Sequence, residues 1–105
     1  MNDNKNFKRV EKEITLHPIV LFMNGTPMFP LDCPSAMAAQ FLDFHKINYV
    51  FFDVSVEPSL KEELFSYTEK IILPQLFIDT KLIGCGEELR DFFISDGLKK
   101  CNKML

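Results

Sequence analysis

Ile71-Ile72-Leu73-Pro74-Gln75-Leu76-Phe77-Ile78, followed by Asp79-Thr80-Lys81-Leu82-Ile83, is the stretch on which the fold turns. The first run is apolar and β-branched, which favours a strand, but Pro74 has no N–H for a ladder and a central strand tolerates it badly. An edge, a bulge or a special turn is therefore required there. A proline so placed often marks a cis X–Pro bond. Such a bend exposes the N–H and C=O of the preceding Leu73, which can pair with a peptide-like ligand as an added strand. An edge-strand proline without any ligand accounts for the same residues. Asp79-Thr80-Lys81 reads as a tight turn, so the two runs form an antiparallel hairpin. Gly84-Cys85-Gly86 bends the chain, and Glu87 opens a last helix with Leu89, Phe92 and Phe93 inside.

Upstream, Pro58 suits the first turn of a helix whose inner face is Leu60, Leu64 and Tyr67. Residues 49–54 and 19–23 are short apolar runs that fit buried strands, the latter ended by Asn24-Gly25. Between them lie a loop with Pro27, Pro30 and Pro34 and a helix over residues 35–47, with Ala38, Phe41, Leu42 and His45 on one face. Phe7, Val10 and Ile14 recur at helical spacing, which predicts an amphipathic helix over residues 4–16. The order αβαβαββα, with a parallel pair joined by a crossover helix and then a hairpin, makes a small α/β sandwich.

The 105 residues suffice for a single domain, 1–105, with a basic tail at about 99–105. Hydrophobic residues at 47% and charged residues at 26% match a soluble globular chain and argue against disorder or a membrane span. The net charge of −3 lowers the odds of a nucleic-acid partner, which normally meets a basic face. The opening residues hold no apolar core of a signal peptide, and their acids count against a transit peptide. Three cysteines are too few for a secreted disulfide framework, so a reducing cytoplasm is expected, or a mitochondrial matrix if a presequence is missing.

Cys33 carries the most chemistry. It follows a strand and loop and precedes a helix, where unpaired N–H groups and the helix dipole stabilise a thiolate. Pro34 fixes the first turn, and Ser35 can hydrogen-bond the sulfur. Asp32 opposes that reading, since a carboxylate beside a thiol disfavours its ionisation and Asp is also an ordinary helix N-cap. A small core cysteine is the plain alternative. Gly84-Cys85-Gly86-Glu87 is a second helix start where two glycines allow close backbone approach. His17, His45 and Cys101 have no spacing that suggests a site.

Several spaced blocks carry a resemblance. His17-Pro18-Ile19-Val20-Leu21-Phe22-Met23-Asn24-Gly25-Thr26-Pro27 with Phe29-Pro30 is similar to the opening of monothiol glutaredoxins. Pro74-Gln75-Leu76-Phe77-Ile78-Asp79 and Leu82-Ile83-Gly84 match the proline strand and hairpin of that family, over about residues 6–98. The resemblance implies a thioredoxin fold, a mixed four-stranded sheet flanked by helices with an extra N-terminal helix. It implies glutathione binding, and a [2Fe-2S] cluster shared between two protomers and passed to acceptor proteins, often with BolA-like partners. Carried over residue by residue, Cys33 would be the thiol and cluster ligand, Lys61 would meet a glutathione carboxylate, and Leu73, Pro74, Gly86 and Glu87 would line the glutathione groove.

The departures are specific. In the ungapped register Asp32 stands where the family's Cys-Gly-Phe-Ser motif has its cysteine, and Cys33 falls on the glycine. Asn24 replaces the lysine before Gly-Thr-Pro, and Lys70-Ile71-Ile72 replaces Trp-Pro-Thr. Alternatively, Cys33-Pro34-Ser35-Ala36 sits in the Cys-Pro-x-Cys register of dithiol glutaredoxins with the second thiol lost. Three functions follow: a glutathione- and cluster-binding carrier, a degenerate module that binds proteins without catalysis, and a weak glutathione-dependent thiol–disulfide oxidoreductase.

Overall fold

A computed structural model describes residues 7–97. The proposed helix residues 4–6, the basic tail and Cys101 lie outside the described residues. Helix α1 spans Lys8–Leu16, β1 Ile19–Met23, α2 Cys33–Phe44, β2 Val50–Asp53, α3 Pro58–Thr68, β3 Gln75–Ile78, β4 Lys81–Cys85 and α4 Glu88–Phe92. A single 3-10 turn, Val54–Val56, follows β2, and a widened turn, Phe93–Gly97, follows α4. The strands form one sheet in the order β2-β1-β3-β4, with β1 parallel to β2 and β3 antiparallel to both of its neighbours. This is a thioredoxin-like fold preceded by an extra helix.

The uninterrupted apolar run of β1 reflects burial on both faces of the sheet. Ile19, Leu21 and Met23 pack with Ala38, Ala39 and Leu42 of α2 and Leu89 of α4. Val20 and Phe22 pack with Val10 and Ile14 of α1 and Leu60 and Leu64 of α3. Phe22 lies between Phe52, stacked at 5.5 Å, and Phe77, edge-on at 5.7 Å. The N-terminal helix is held by more than its apolar stripe. The Val10 N–H donates to the Glu63 carboxylate of α3 at 2.8 Å, and the Phe7 ring meets Tyr67 at 5.2 Å.

The structure corrects several boundaries. The strand expected over residues 71–78 begins only at Gln75, and Ile71 and Ile72 belong to an exposed loop. Their apolar character is not matched by a partner, because β4 ends at Cys85 opposite Gln75. The Leu73–Pro74 bond is cis, and Pro74 sits just before an interior strand rather than on an edge. Helix α2 starts at Cys33, two residues earlier than its apolar face suggested, and stops at Phe44, where Lys46 turns left-handed.

The register brings the candidate residues together. Met23 pairs with Asp53, Phe22 with Gln75, and Gln75 with Cys85. The segments 24–32, 53–57, 70–74 and 85–88 therefore all leave the same end of the sheet. No described helix is long and apolar enough to cross a membrane.

Candidate functional site

Asp32 is the N-cap of α2, and it is fully engaged. One carboxylate oxygen accepts from the Ser35 N–H at 2.8 Å, and the other accepts from the Asn24 side-chain amide at 2.8 Å. The Ser35 hydroxyl is buried and accepts from the Asn24 N–H at 3.1 Å. Ser35 thus serves the loop rather than the Cys33 sulfur, contrary to the expectation from spacing. Two positions that depart from the glutaredoxin pattern, Asn24 and Asp32, are hydrogen-bonded to each other. Burial pulls the Asp32 carboxyl upward, but the bonds from Asn24 and Ser35 outweigh it and hold the group below the usual carboxylate range.

The loop between β1 and α2 is pinned from β2 as well. An Asp53 carboxylate oxygen accepts from the Gly25 N–H at 2.9 Å, the Ser55 N–H at 3.0 Å and the Ser55 hydroxyl at 2.6 Å. Burial raises the Asp53 carboxyl, and the bonds from Ser55 and Gly25 more than reverse this, so it too is depressed. A depressed carboxyl stabilises the fold above its unfolded value, and that contribution is lost as pH falls through the folded value. Acid should therefore destabilise the chain progressively below about pH 4, the ordinary Asp range. Asp32→Ala should cost about 1 kcal/mol at pH 7 as a lost cap. Urea melts at pH 7 and pH 3 should show the gap between variant and wild type narrowing in acid.

Cys33 is the first residue of α2 and is exposed. Pro34 contributes no N–H to the helix start, and the Ser35 N–H is committed to Asp32. Cys85 is different in kind. It is buried, its N–H donates to a Glu88 carboxylate oxygen at 3.1 Å, and its sulfur lies 3.6 Å from the same oxygen. Burial and then the Glu88 charge push the Cys85 thiol up, with Lys70 opposing. Among the described residues, Cys33 is the accessible thiol.

In the loop before β3, the Leu73 N–H and C=O make no hydrogen bond among the described residues. Gly86, at φ +58°, donates its N–H to the Pro74 carbonyl at 2.8 Å. A side chain at Gly86 would meet Ile72, and its Cβ would stand 3.7 Å from the Leu73 oxygen. Glu87 is exposed and pairs with Arg90 at 3.7 Å. Lys61 lies in an open depression with Pro58, Ser59, Glu62 and Phe65, its ammonium 6.0 Å from the Phe65 ring centre. His17 pairs with Glu13 at 3.5 Å, and His45 packs against Phe41 and Phe44.

With this geometry in place, the relatives are informative. The sequence profile of the glutaredoxin family matches residues 19–83. The chain belongs to the glutaredoxin family. It is 33% identical over 105 residues to a probable monothiol glutaredoxin 2 of Rickettsia conorii, covering 98% of this chain and 96% of that one. It is 31% identical over 85 residues to glutaredoxin 4 of Pasteurella multocida, covering 81% and 78%. The solution structure of a monomeric truncated mutant of Trypanosoma brucei 1-C-Grx1 superposes with a TM-score of 0.80 at 26% identity, over 92% of this chain and 88% of that one. Within this glutaredoxin, sequence reasoning missed Gln75 and Glu88. A polar residue inside an apolar run gives no sign of what its side chain will reach.

Gln75 is fully buried at the start of β3. Its amide nitrogen donates to the carbonyls of Lys70 at 3.0 Å and Ile72 at 3.2 Å. Its Oε1 finds no partner among the described residues.

Proposed function

We propose that this glutaredoxin binds glutathione in the groove between Leu73-Pro74 and the start of α2, and carries a [2Fe-2S] cluster as cargo through Cys33. The observation that carries the reading is the free N–H and C=O of Leu73 beside a cis proline, at the same end of the sheet as an exposed thiol. A free backbone pair of this kind suits the peptide-like spine of glutathione. Lys61 would supply a cation for a glutathione carboxylate, without the bidentate fork an arginine would bring. Gly86 would let the ligand approach closely, and Glu87 would reach its γ-glutamyl end.

One thiolate from each of two protomers, completed by two glutathione thiolates, would hold the cluster, making the loaded form a homodimer. A BolA-like protein or an iron–sulfur acceptor would be its partner, in a reducing compartment such as the cytoplasm or a mitochondrial matrix. The relatives named monothiol glutaredoxin support this reading. Anaerobic incubation with ferrous iron, sulfide and glutathione should produce a coloured dimer. A colourless monomer would overturn the cluster reading.

A second reading is favoured by the closed Asn24–Asp32 pair. A carboxylate held where the family has its cysteine suits a glutaredoxin that has kept the fold as a protein-binding module. Large apolar side chains exposed at this end of the sheet, Met28, Phe29, Leu31, Ile71 and Ile72, agree with that use.

A further inference from the structure

We infer that Gln75 is the positioning residue of the ligand groove: its carboxamide clamps the carbonyls of Lys70 and Ile72 and thereby fixes the backbone of Leu73. The inference rests on the proposed glutathione groove for its purpose, and on the geometry of the loop for its mechanism. The segment between α3 and β3 is anchored at its far end by the buried Leu73 side chain, in one core with Leu64 and Phe77, whereas residues 70–72 have few other ties. Ile71 and Ile72 are 77% and 56% exposed, so their side chains anchor nothing firmly. Glu69 has turned left-handed at the end of α3, and Lys70 is tied back to that helix end through the Thr68 hydroxyl. That hydroxyl has a single hydrogen, shared between the Leu64 carbonyl at 3.1 Å and the Lys70 carbonyl at 3.3 Å. Among the described residues, the Ile72 carbonyl accepts from Gln75 alone.

Both neighbours of the Gln75 amide nitrogen are carbonyls, which fixes the orientation of the carboxamide without ambiguity. Its Oε1 has no partner among the described residues, so an apolar side chain would remove one unpaired atom but leave the Ile72 carbonyl without its donor. What the apolar residue could not do is bind two successive turns of the loop. Gln75 is itself held in the sheet, paired with Phe22 on one side and Cys85 on the other. The clamp therefore ties the carbonyls of Lys70 and Ile72 to an interior strand of the sheet. Leu73 is left between two held points, its own N–H and C=O making no hydrogen bond among the described residues.

Trypsin reads this directly, because Lys70 and Lys81 are both exposed and stand at opposite ends of β3. In Gln75→Met, the cleavage rate after Lys70 relative to that after Lys81 should rise at least ten-fold. Global loosening would raise both rates and leave the ratio unchanged, which would overturn the clamp. Gln75→Asn keeps the amide but shortens its reach, and should give the same ratio if the Met variant does not fold. In the unaltered chain, the Gln75 amide protons should exchange with solvent at least a hundred-fold more slowly than those of the exposed Gln40. Equal exchange would overturn the clamp without any variant. Glutathione affinity should fall about ten-fold in the variants. If the unaltered chain binds no glutathione, the groove reading fails, while the cleavage ratio and the exchange rates still decide the clamp.

Discussion

Replacing Cys33 by serine is expected to abolish cluster assembly, leaving a colourless monomer under conditions where the unaltered chain gives a coloured dimer. The size of the effect follows from what else could substitute. Iron in a sulfide cluster favours soft thiolate ligands, and a serine hydroxyl is a hard oxygen that holds its proton at neutral pH. Cys85 cannot take over, since it is buried in the sheet with its thiol held up by burial and by the Glu88 carboxylate. Asp32 cannot take over while both of its oxygens are engaged by Ser35 and Asn24. Asp32→Ala should keep the colour, because it removes a helix cap and leaves the sulfur in place. Loss of colour in Asp32→Ala with retention in Cys33→Ser would assign the ligand to the wrong residue. Absorption spectra and light-scattering masses of the two reconstituted variants decide between these outcomes.

The second large effect is on stability, at Gly25. Its φ of +89° lies where side chains are strained, and its N–H is already committed to Asp53. A Cβ there would overlap the Phe29 carbonyl and stand 2.8 Å from the Leu31 nitrogen and 3.0 Å from Leu31 Cγ. Two of these three obstacles are backbone, so the loop would have to move as a body. Backbone strain and overpacking together should cost about 3 kcal/mol for Gly25→Ala. That corresponds to a fall in Tm of roughly 10–20 °C for a chain of this size. Gly84→Ala is the matched control, because its φ is ordinary and its nearest neighbour is the flexible end of Leu89 at 3.3 Å. Calorimetric melts should separate the two variants widely. Comparable small shifts would mean that the β1–α2 loop is not held as described.

The sheet was legible because its signals are local. Ile19–Met23 is apolar at every position, and only burial on both faces asks for that. The proline of the third strand announced a special backbone, and the cis bond before Gln75 answers it. Asp32 as N-cap was likewise readable from residue type and place. What sequence could not supply was the choice of partner. Ser35 stood near Cys33 in the chain, yet its hydroxyl serves the Asn24 backbone, because the loop folds that N–H over the helix start. Ile71 and Ile72 looked like strand residues, but β4 ends at Cys85 and leaves them nothing to pair with. Gln75 looked like a polar interruption. Its role depends on two carbonyls three and five residues away, brought under it by a loop that no periodicity describes.

The Asn24–Asp32 bond was hidden for the same reason. Each residue taken alone reads as a loss from the family pattern, of a lysine and of a thiol. In the folded chain the amide of one donates to the carboxylate of the other, so the two departures satisfy each other. The loop before β3 keeps a Leu73 N–H and C=O without hydrogen bonds among the described residues, and the Gly86 turn lies beside it, so the features the proposed groove needs do not depend on that pair.

Titration calorimetry of the reduced chain with glutathione tests the proposed groove most directly. Saturable one-site binding is expected, in the micromolar to low millimolar range, weakened when Lys61 is replaced by Met. No heat of binding at millimolar glutathione would contradict it and leave a fold kept for protein contacts alone.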